Sequence, residues 1–289
     1  MNYVLILINY FPEYIFYVLN SILSVDKDAT VYIAHNDNKK INYKNIVEIN
    51  LNEIESEYLK RFNELDVFKN TIFENNPLWI TSVQRIFYLD QIIKDLNLSN
   101  TVHFDNDILI YKPFAEIEST INKDTINITS YNSKKLIFGY SYFQNGKLTD
   151  YLSKEILKEY ENGIDNNWIN NNEKPLNEME IMKLVELKNP NIFNLLPSLP
   201  FQNQILFDPA GYGQYIDGTH TNPKKLFKRG YTSIYDPVGV EILAKRVKVQ
   251  FNKKPFVLWE GNKFNLSNLH VHSKRFKKLL PAEYKAYIN

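Results

Sequence analysis

Apolar positions along the first part of the chain alternate between two periods. Residues 3–8 form a continuous β-rich run, Tyr-Val-Leu-Ile-Leu-Ile, which stops at Asn9-Tyr10-Phe11-Pro12. That run is too short for a bilayer, carries no basic leader, and suits a strand buried on both faces. Residues 13–24 place Phe16, Leu19 and Leu23 on one helical face, and residues 30–34 and 46–50 read as second and third strands. Helices are expected over 53–70 and over 78–96, the latter carrying Ile80, Val83, Phe87, Ile93 and Leu96 on its stripe. Residues 101–104 enter another strand. Strand–helix alternation of this kind predicts an α/β fold with a mostly parallel central sheet flanked by helices.

The second part is less regular. Strands are expected over 125–130, 136–143, 192–196, 247–251, 256–259 and 264–272, and helices over 148–161 and 177–187. Residues 162–175 read as a polar, Asn-rich loop around Trp168, and 273–288 as a short basic helix. With neither an internal repeat nor a clean linker, the 289 residues read as a single domain with an irregular, β-containing C-terminal half.

Composition narrows the chemistry. Lys and Arg number 34 against 33 Asp and Glu, a net charge of +1, which argues against bulk nucleic-acid binding. The absence of cysteine excludes disulfides, zinc–thiolate sites, iron–sulfur clusters and thiol nucleophiles. The sequence has no Gly-x-Gly-x-x-Gly, no phosphate-binding Gly-x-x-x-x-Gly-Lys, no Gly-x-Ser-x-Gly and no His-Glu-x-x-His.

The central feature is His103-Phe104-Asp105-Asn106-Asp107-Ile108. On an extended segment Asp105 and Asp107, at i and i+2, point to one side while Asn106 faces away. Two adjacent carboxylates repel unless a cation or proton lies between them, and a hard divalent cation takes such oxygens while leaving positions for phosphates. The tripeptide alone is a weak signal, since many such pairs are solvated. Here apolar runs flank it on both sides, and charge at the end of a buried strand is costly unless it binds something. In open α/β sheets, ligands bind at the carboxyl ends of the strands.

These residues are similar to a known family. Arg85-x-x-Tyr88-Leu89 followed by residues 102–111 resembles nucleotide-sugar glycosyltransferases of the GT-A fold. Phe207-Asp208-Pro209-Ala210-Gly211-Tyr212-Gly213 through Gly218, and Asn268-Leu269-His270-Val271-His272-Ser273-Lys274, resemble segments of bacterial capsule and surface-polysaccharide glycosyltransferases. The likeness spans residues 1–275, anchored at these three points. It implies an enzyme of the cytoplasm or of the inner membrane face that moves a sugar from a nucleoside diphosphate to a glycan or lipid-linked acceptor. It also implies Mn2+ or Mg2+, a nucleotide-sugar half over 1–115 and an acceptor half over 116–289.

Further candidates follow. His270 and His272, again at i and i+2, share one side of a strand, so either or both can join Asp105 and Asp107 at the metal. His272, nearer the loop and Lys274, is preferred. Lys274 offsets phosphate charge as a point cation. The resemblance puts a carboxylate acting as base or acceptor contact near Glu178 and Glu180. Glu178 fits better, although first-turn acids also simply favour the helix dipole. Asp208 and Asp217 are second-choice acids, and Asp217-Gly218 also reads as a turn. Asn9, Tyr10 and Asp37, just past the first two strands, are donor contacts, with Tyr10 able to stack on a base. Arg85 reads as a contact to donor phosphate or Asp105, or as a salt bridge to Asp90. Asn106 belongs to the donor set as well. The basic tail suits either contact with anionic lipid or, preferably, a solvated helix end. Two rival readings remain: a sugar-1-phosphate nucleotidyltransferase, against which residues 9–14 lack a Gly-rich basic loop, and a catalytically silent glycan-binding protein.

Overall fold

In a computed structural model, which describes residues 1–165, 176–219 and 236–284, seven strands build the main sheet. They are β1 (Asn2–Leu7), β2 (Thr30–His35), β3 (Ile46–Asn50), β4 (Thr101–His103), β6 (Ile126–Asn132), β7 (Lys135–Phe143) and β8 (Phe193–Leu196). Their spatial order is β3-β2-β1-β4-β7-β6-β8. The β1–β2, β2–β3, β1–β4 and β6–β8 pairs are parallel; only β7 runs against its neighbours β4 and β6. The sheet is therefore mostly parallel, as the alternation of elements predicts.

β1 shows why a fully apolar run becomes a central strand. Its side chains alternate between two cores: Tyr3, Leu5 and Leu7 join one, Val4 and Ile6 the other. The first core is closed by α1 (Ile15–Val25), whose Ile15, Val18, Leu19 and Ile22 are fully buried. The second is closed by α2 (Glu57–Leu65), α3 (Pro77–Asp95), α5 (Gly146–Asp165) and α6 (Glu178–Lys188). α3 starts where Asn76 accepts the Leu78 N–H and Pro77 takes the first position, where a missing N–H is harmless. α6 starts with a capping box between Asn177 and Glu180.

Several boundaries differ from expectation. The helix expected over 53–70 is a 3-10 turn at Leu51–Glu53 followed by α2, because Ser56 caps a new start and Asp66 adopts a left-handed φ of 48° at its end. The expected strand over 264–272 is two strands in different sheets: β12 (Asn262–Leu266) and β13 (Asn268–His270), separated by Ser267, whose N–H bonds Leu206. β12 belongs to a four-stranded sheet, β10 (Val247–Asn252), β11 (Lys254–Trp259), β12, β9 (Ile205–Leu206). β13 pairs antiparallel with β5 (Ile108–Ile110), and the brief helix α4 (Phe114–Ile117) follows β5. α7 (Gly211–Asp217) and α8 (Pro237–Leu243) have no counterpart in the sequence pattern. Of the tail helix expected over 273–288, the described residues form α9 (Phe276–Leu279); residues 285–288 lie outside the described residues. The expected loop over 162–175 begins as the last turn of α5; Trp168 lies outside the described residues.

Candidate active site

β1, β2 and β4 run parallel, and their carboxyl ends share one edge of the main sheet. Past that edge, the chain leaving β4 turns back into β5, so Asp105 and Asp107 lie in a tight connection rather than on an extended strand. The two carboxylates nevertheless converge, and on the same group. His270 Nε2 is 2.7 Å from Asp107 Oδ1 and 3.8 Å from Asp105 Oδ2. The ring of His272 stacks on that of His270 with centroids 3.9 Å apart and planes 17° apart. Asp107, His270 and His272 each offer a ligand atom, all within 4.8 Å of one another. Asp105 lies outside this trio because Arg85 Nη1 donates to its Oδ1, while Arg85 Nη2 donates to Glu178 Oε1 at 3.0 Å. Asp90, the other partner considered for Arg85, is bonded instead to Lys94 and Thr149.

Residues 107 and 270 meet because β13 pairs with β5: His270 stands opposite Ile108, and the Val271 N–H donates to the Asp107 carbonyl at 2.8 Å. A second clamp holds β13 from the other side. Asp208 is fully buried, and its carboxylate accepts the backbone N–H groups of Tyr212 (3.0 Å), Gly213 (3.0 Å) and His270 (2.9 Å). Asp208 thus ties the first turn of α7 to the His270 backbone. Its three backbone hydrogen bonds anchor the cluster, while burial pushes its carboxyl up to about 6. The approach is so close that a Cβ on Gly213 would collide with the His270 carbonyl.

The charges are coupled through burial. Burial pushes the Asp107 carboxyl up, but His270 and Lys274 outweigh it and hold the group well below the usual carboxylate range. The same pairing raises His270 against the downward pull of its own burial. Glu178 differs: burial dominates, Asp105 adds to it, Arg85 only partly compensates, and the carboxyl is pushed up to about 7. A carboxyl titrating near neutrality beside an acidic pair suits a general base.

The remaining expected residues take varied places. Lys274, in a left-handed conformation with φ of 60°, pairs with Asp107 Oδ2 and sits 5.2 Å over the Tyr14 ring. Sequence reasoning misses Tyr14; its hydroxyl donates to Asn106 Oδ1 at 3.2 Å and its ring stacks on Phe276. The only signal for it is its place shortly after the first strand. Asn9 has a left-handed φ of 59° and exchanges two hydrogen bonds with Asn36, joining the ends of β1 and β2. Tyr10 is 61% exposed beside them. Asp37 accepts the Lys39 N–H and lines a cleft of about 400 Å³ with His35, Lys40, Glu48 and Asn50. The tail is a helix end whose basic side chains are exposed but whose apolar side is packed. Phe276 and Leu279 are buried, and Arg275, Lys278 and Ser273 all bond Asp217, which closes α7.

One carboxylate and two imidazoles form a donor set suited to a first-row divalent cation such as Mn2+, and less to Mg2+, which prefers oxygen. Nδ1 of His270 is buried without a hydrogen-bond partner among the described residues, while its Nε2 faces Asp107 and Asp105 and its ring stacks on His272. Among the described residues, no helix is long and apolar enough to cross a membrane.

No protein-family model and no curated protein matches the sequence. Solved structures do show similarity. Mouse xyloside xylosyltransferase 1 is similar over 68% of this chain and 86% of its own, with 10% identity and a TM-score of 0.47. The galactosyltransferase LgtC, solved with donor and acceptor sugar analogs, is similar over 68% of this chain and 73% of its own, with 14% identity and a TM-score of 0.43. The glycosyltransferase GlyE of Streptococcus pneumoniae is similar over 68% of this chain but only 44% of its own, with 10% identity and a TM-score of 0.40.

Proposed function

We propose that this chain is a metal-dependent glycosyltransferase that takes its sugar from a nucleoside-diphosphate donor. The observation that carries the reading is the convergence of Asp107, His270 and His272 at the carboxyl edge of a mostly parallel sheet, with Asp105, Arg85 and Glu178 directly beside them. Asp107, His270 and His272 would hold the cation, Mn2+ by preference, and Asp105 stands next to it. When bound, the cation supplies positive charge for the diphosphate that leaves.

The chain's own residues do the rest. Lys274, already beside the acidic pair, adds a second positive charge close to the departing phosphates. Arg85 fixes Asp105 and Glu178 relative to each other through its two terminal nitrogens. Glu178 accepts the acceptor hydroxyl proton on a carboxylate oxygen as that hydroxyl attacks the sugar carbon. Asn9, Tyr10 and Asp37 line the adjoining edge, where the nucleoside would lie. The acceptor is a glycan or lipid-linked saccharide in bacterial surface-polysaccharide synthesis, a role that rests on the sequence resemblance.

Sugar-nucleotide turnover tests this. UDP-, GDP-, CMP- and TDP-sugars are screened for hydrolysis and transfer with and without Mn2+. One donor is expected to turn over only with metal, and Asp107→Ala is expected to abolish both reactions. Undiminished turnover by Asp107→Ala would end the assignment. Glycan binding without metal-dependent nucleotide affinity would favour a silent lectin-like module.

A further inference from the structure

Charge is distributed unevenly along this nearly neutral chain. Residues 245–280 hold ten Lys and Arg against one acid, Glu260, leaving 24 basic and 32 acidic residues elsewhere. Part of that excess is neutralised internally: Lys274 pairs with Asp107, Arg275 and Lys278 with Asp217, and Arg246 with Glu241. Lys245, Lys248, Lys253 and Lys263 are exposed and form no ion pair among the described residues.

The four-stranded sheet sets out two of these cations in register. Side chains alternate across it: Val247, Val257, Phe264 and Leu266 are buried in the core, so the intervening positions face outward. Pairing lines up Lys248, Leu258 and Lys263 across three strands, and next to them Gln250, Phe256 and Asn265. Phe256 and Leu258 are half-buried at the middle, and Lys263 Nζ lies 4.3 Å from the Phe256 ring centroid. None of these three strands places an acidic side chain on the outward face.

We propose that this outward sheet face docks the protein onto an anionic lipid bilayer. A sheet face with apolar side chains at its middle and lysines on either side of them matches a headgroup layer. The lysine stems lie along apolar surface while the ammonium groups meet lipid phosphates. A chain-like polyanion would be better served by a groove of cations. Ser267 alone separates β12 of this sheet from β13, the strand that carries His270, so docking fixes the height of the candidate active site above the membrane. The tail, the other candidate for lipid contact, has Phe276 and Leu279 buried and pairs Arg275 and Lys278 with Asp217.

The full chain is sedimented with vesicles of phosphatidylcholine alone and of phosphatidylcholine mixed with phosphatidylglycerol. Binding to the anionic vesicles only, released by high salt, is expected. Each lysine near an anionic surface strengthens binding about fivefold, so Lys248→Glu combined with Lys263→Glu is expected to weaken it at least about 25-fold. Both sites are exposed and unpaired, so the variant's melting temperature and its turnover of a soluble acceptor are expected to stay unchanged; neither readout depends on vesicle binding. Equal binding to neutral vesicles, or a double variant that binds as the parent does, would overturn the proposal. So would retention on dextran sulfate without any vesicle binding, which would assign the face to soluble polyanions. If the double variant proves unstable, salt release of the unmodified protein decides alone.

Discussion

Gly213 is the position where the candidate site tolerates least. A methyl group there would run into the His270 carbonyl oxygen, lie 2.9 Å from the His270 carbonyl carbon and lie 3.1 Å from Asp208 Oδ2. Carbon contacts settle at about 3.5–4.0 Å, so α7 and β13 would have to part by on the order of 1 Å. Gly213 is not among the residues with positive φ, so Gly213→Ala adds no backbone strain and tests the collision alone. Overpacking of this kind costs roughly 1–3 kcal/mol, which for a domain of this size lowers Tm by about 2–5 °C. The larger effect falls on the cluster. His270 is held by Asp208 through its N–H and meets Asp107 through its ring. Disturbing such supporting contacts weakens metal affinity by about 10–100-fold. Gly213→Ala is therefore expected to fold, to melt lower, and to need roughly 10–100-fold more Mn2+ for half-maximal donor hydrolysis. Gly261→Ala is the control: its φ is +79° and nothing lies within 4 Å, so it carries strain of about 1 kcal/mol and no collision. A Gly213→Ala enzyme with unchanged Mn2+ dependence, or a Gly261→Ala enzyme showing the same shift, would refute the reasoning.

Other residues give separable outcomes. Glu178→Gln is expected to lower turnover by about 10²–10⁴-fold while donor affinity measured by calorimetry persists. The unmodified enzyme's kcat/KM should climb through about pH 7 as Glu178 ionises, and a variant that kept that climb would exclude it as the base. His103 concerns stability. Its Nδ1–H donates to the Val4 carbonyl at 2.8 Å, and burial, reinforced by Arg85, pushes the imidazole down to about 3. Its contribution is complete above the unfolded value near 6.5 and falls away as pH drops toward 3, because only the unfolded chain takes the proton there. The slope is about 1.4 kcal/mol per pH unit. His103→Gln, which keeps a donor for Val4, should flatten urea-derived stability across that window, and parallel curves for the two proteins would contradict this.

Part of this architecture is written plainly in the chain and part is not, and the division follows physical range. β1 is legible because burial on both faces writes an unbroken apolar run, and α3 because a long helix repeats its stripe often enough to be seen. The aspartates and histidines stand out because charge framed by apolar neighbours has few inexpensive explanations. Their meeting is not legible. It depends on β5 and β13, three residues each and far apart in the chain, and a three-residue strand is too short to show a period. α7 is hidden for a related reason. Gly211 and Gly213 weaken a helix locally, so the segment carries no helical signal, yet tertiary approach to Asp236 and His270 requires them. Sequence ranks Glu178 ahead of Asp208 by position alone, and their partners add a physical difference. Asp208 is held by three backbone N–H groups, which favour its charged form although burial pushes the carboxyl up to about 6. Glu178 is held by a single arginine that has Asp105 as a second partner, so it can gain and lose a proton while its surroundings stay in place. That difference in what the carboxylates support favours Glu178 over Asp208 as the proposed base.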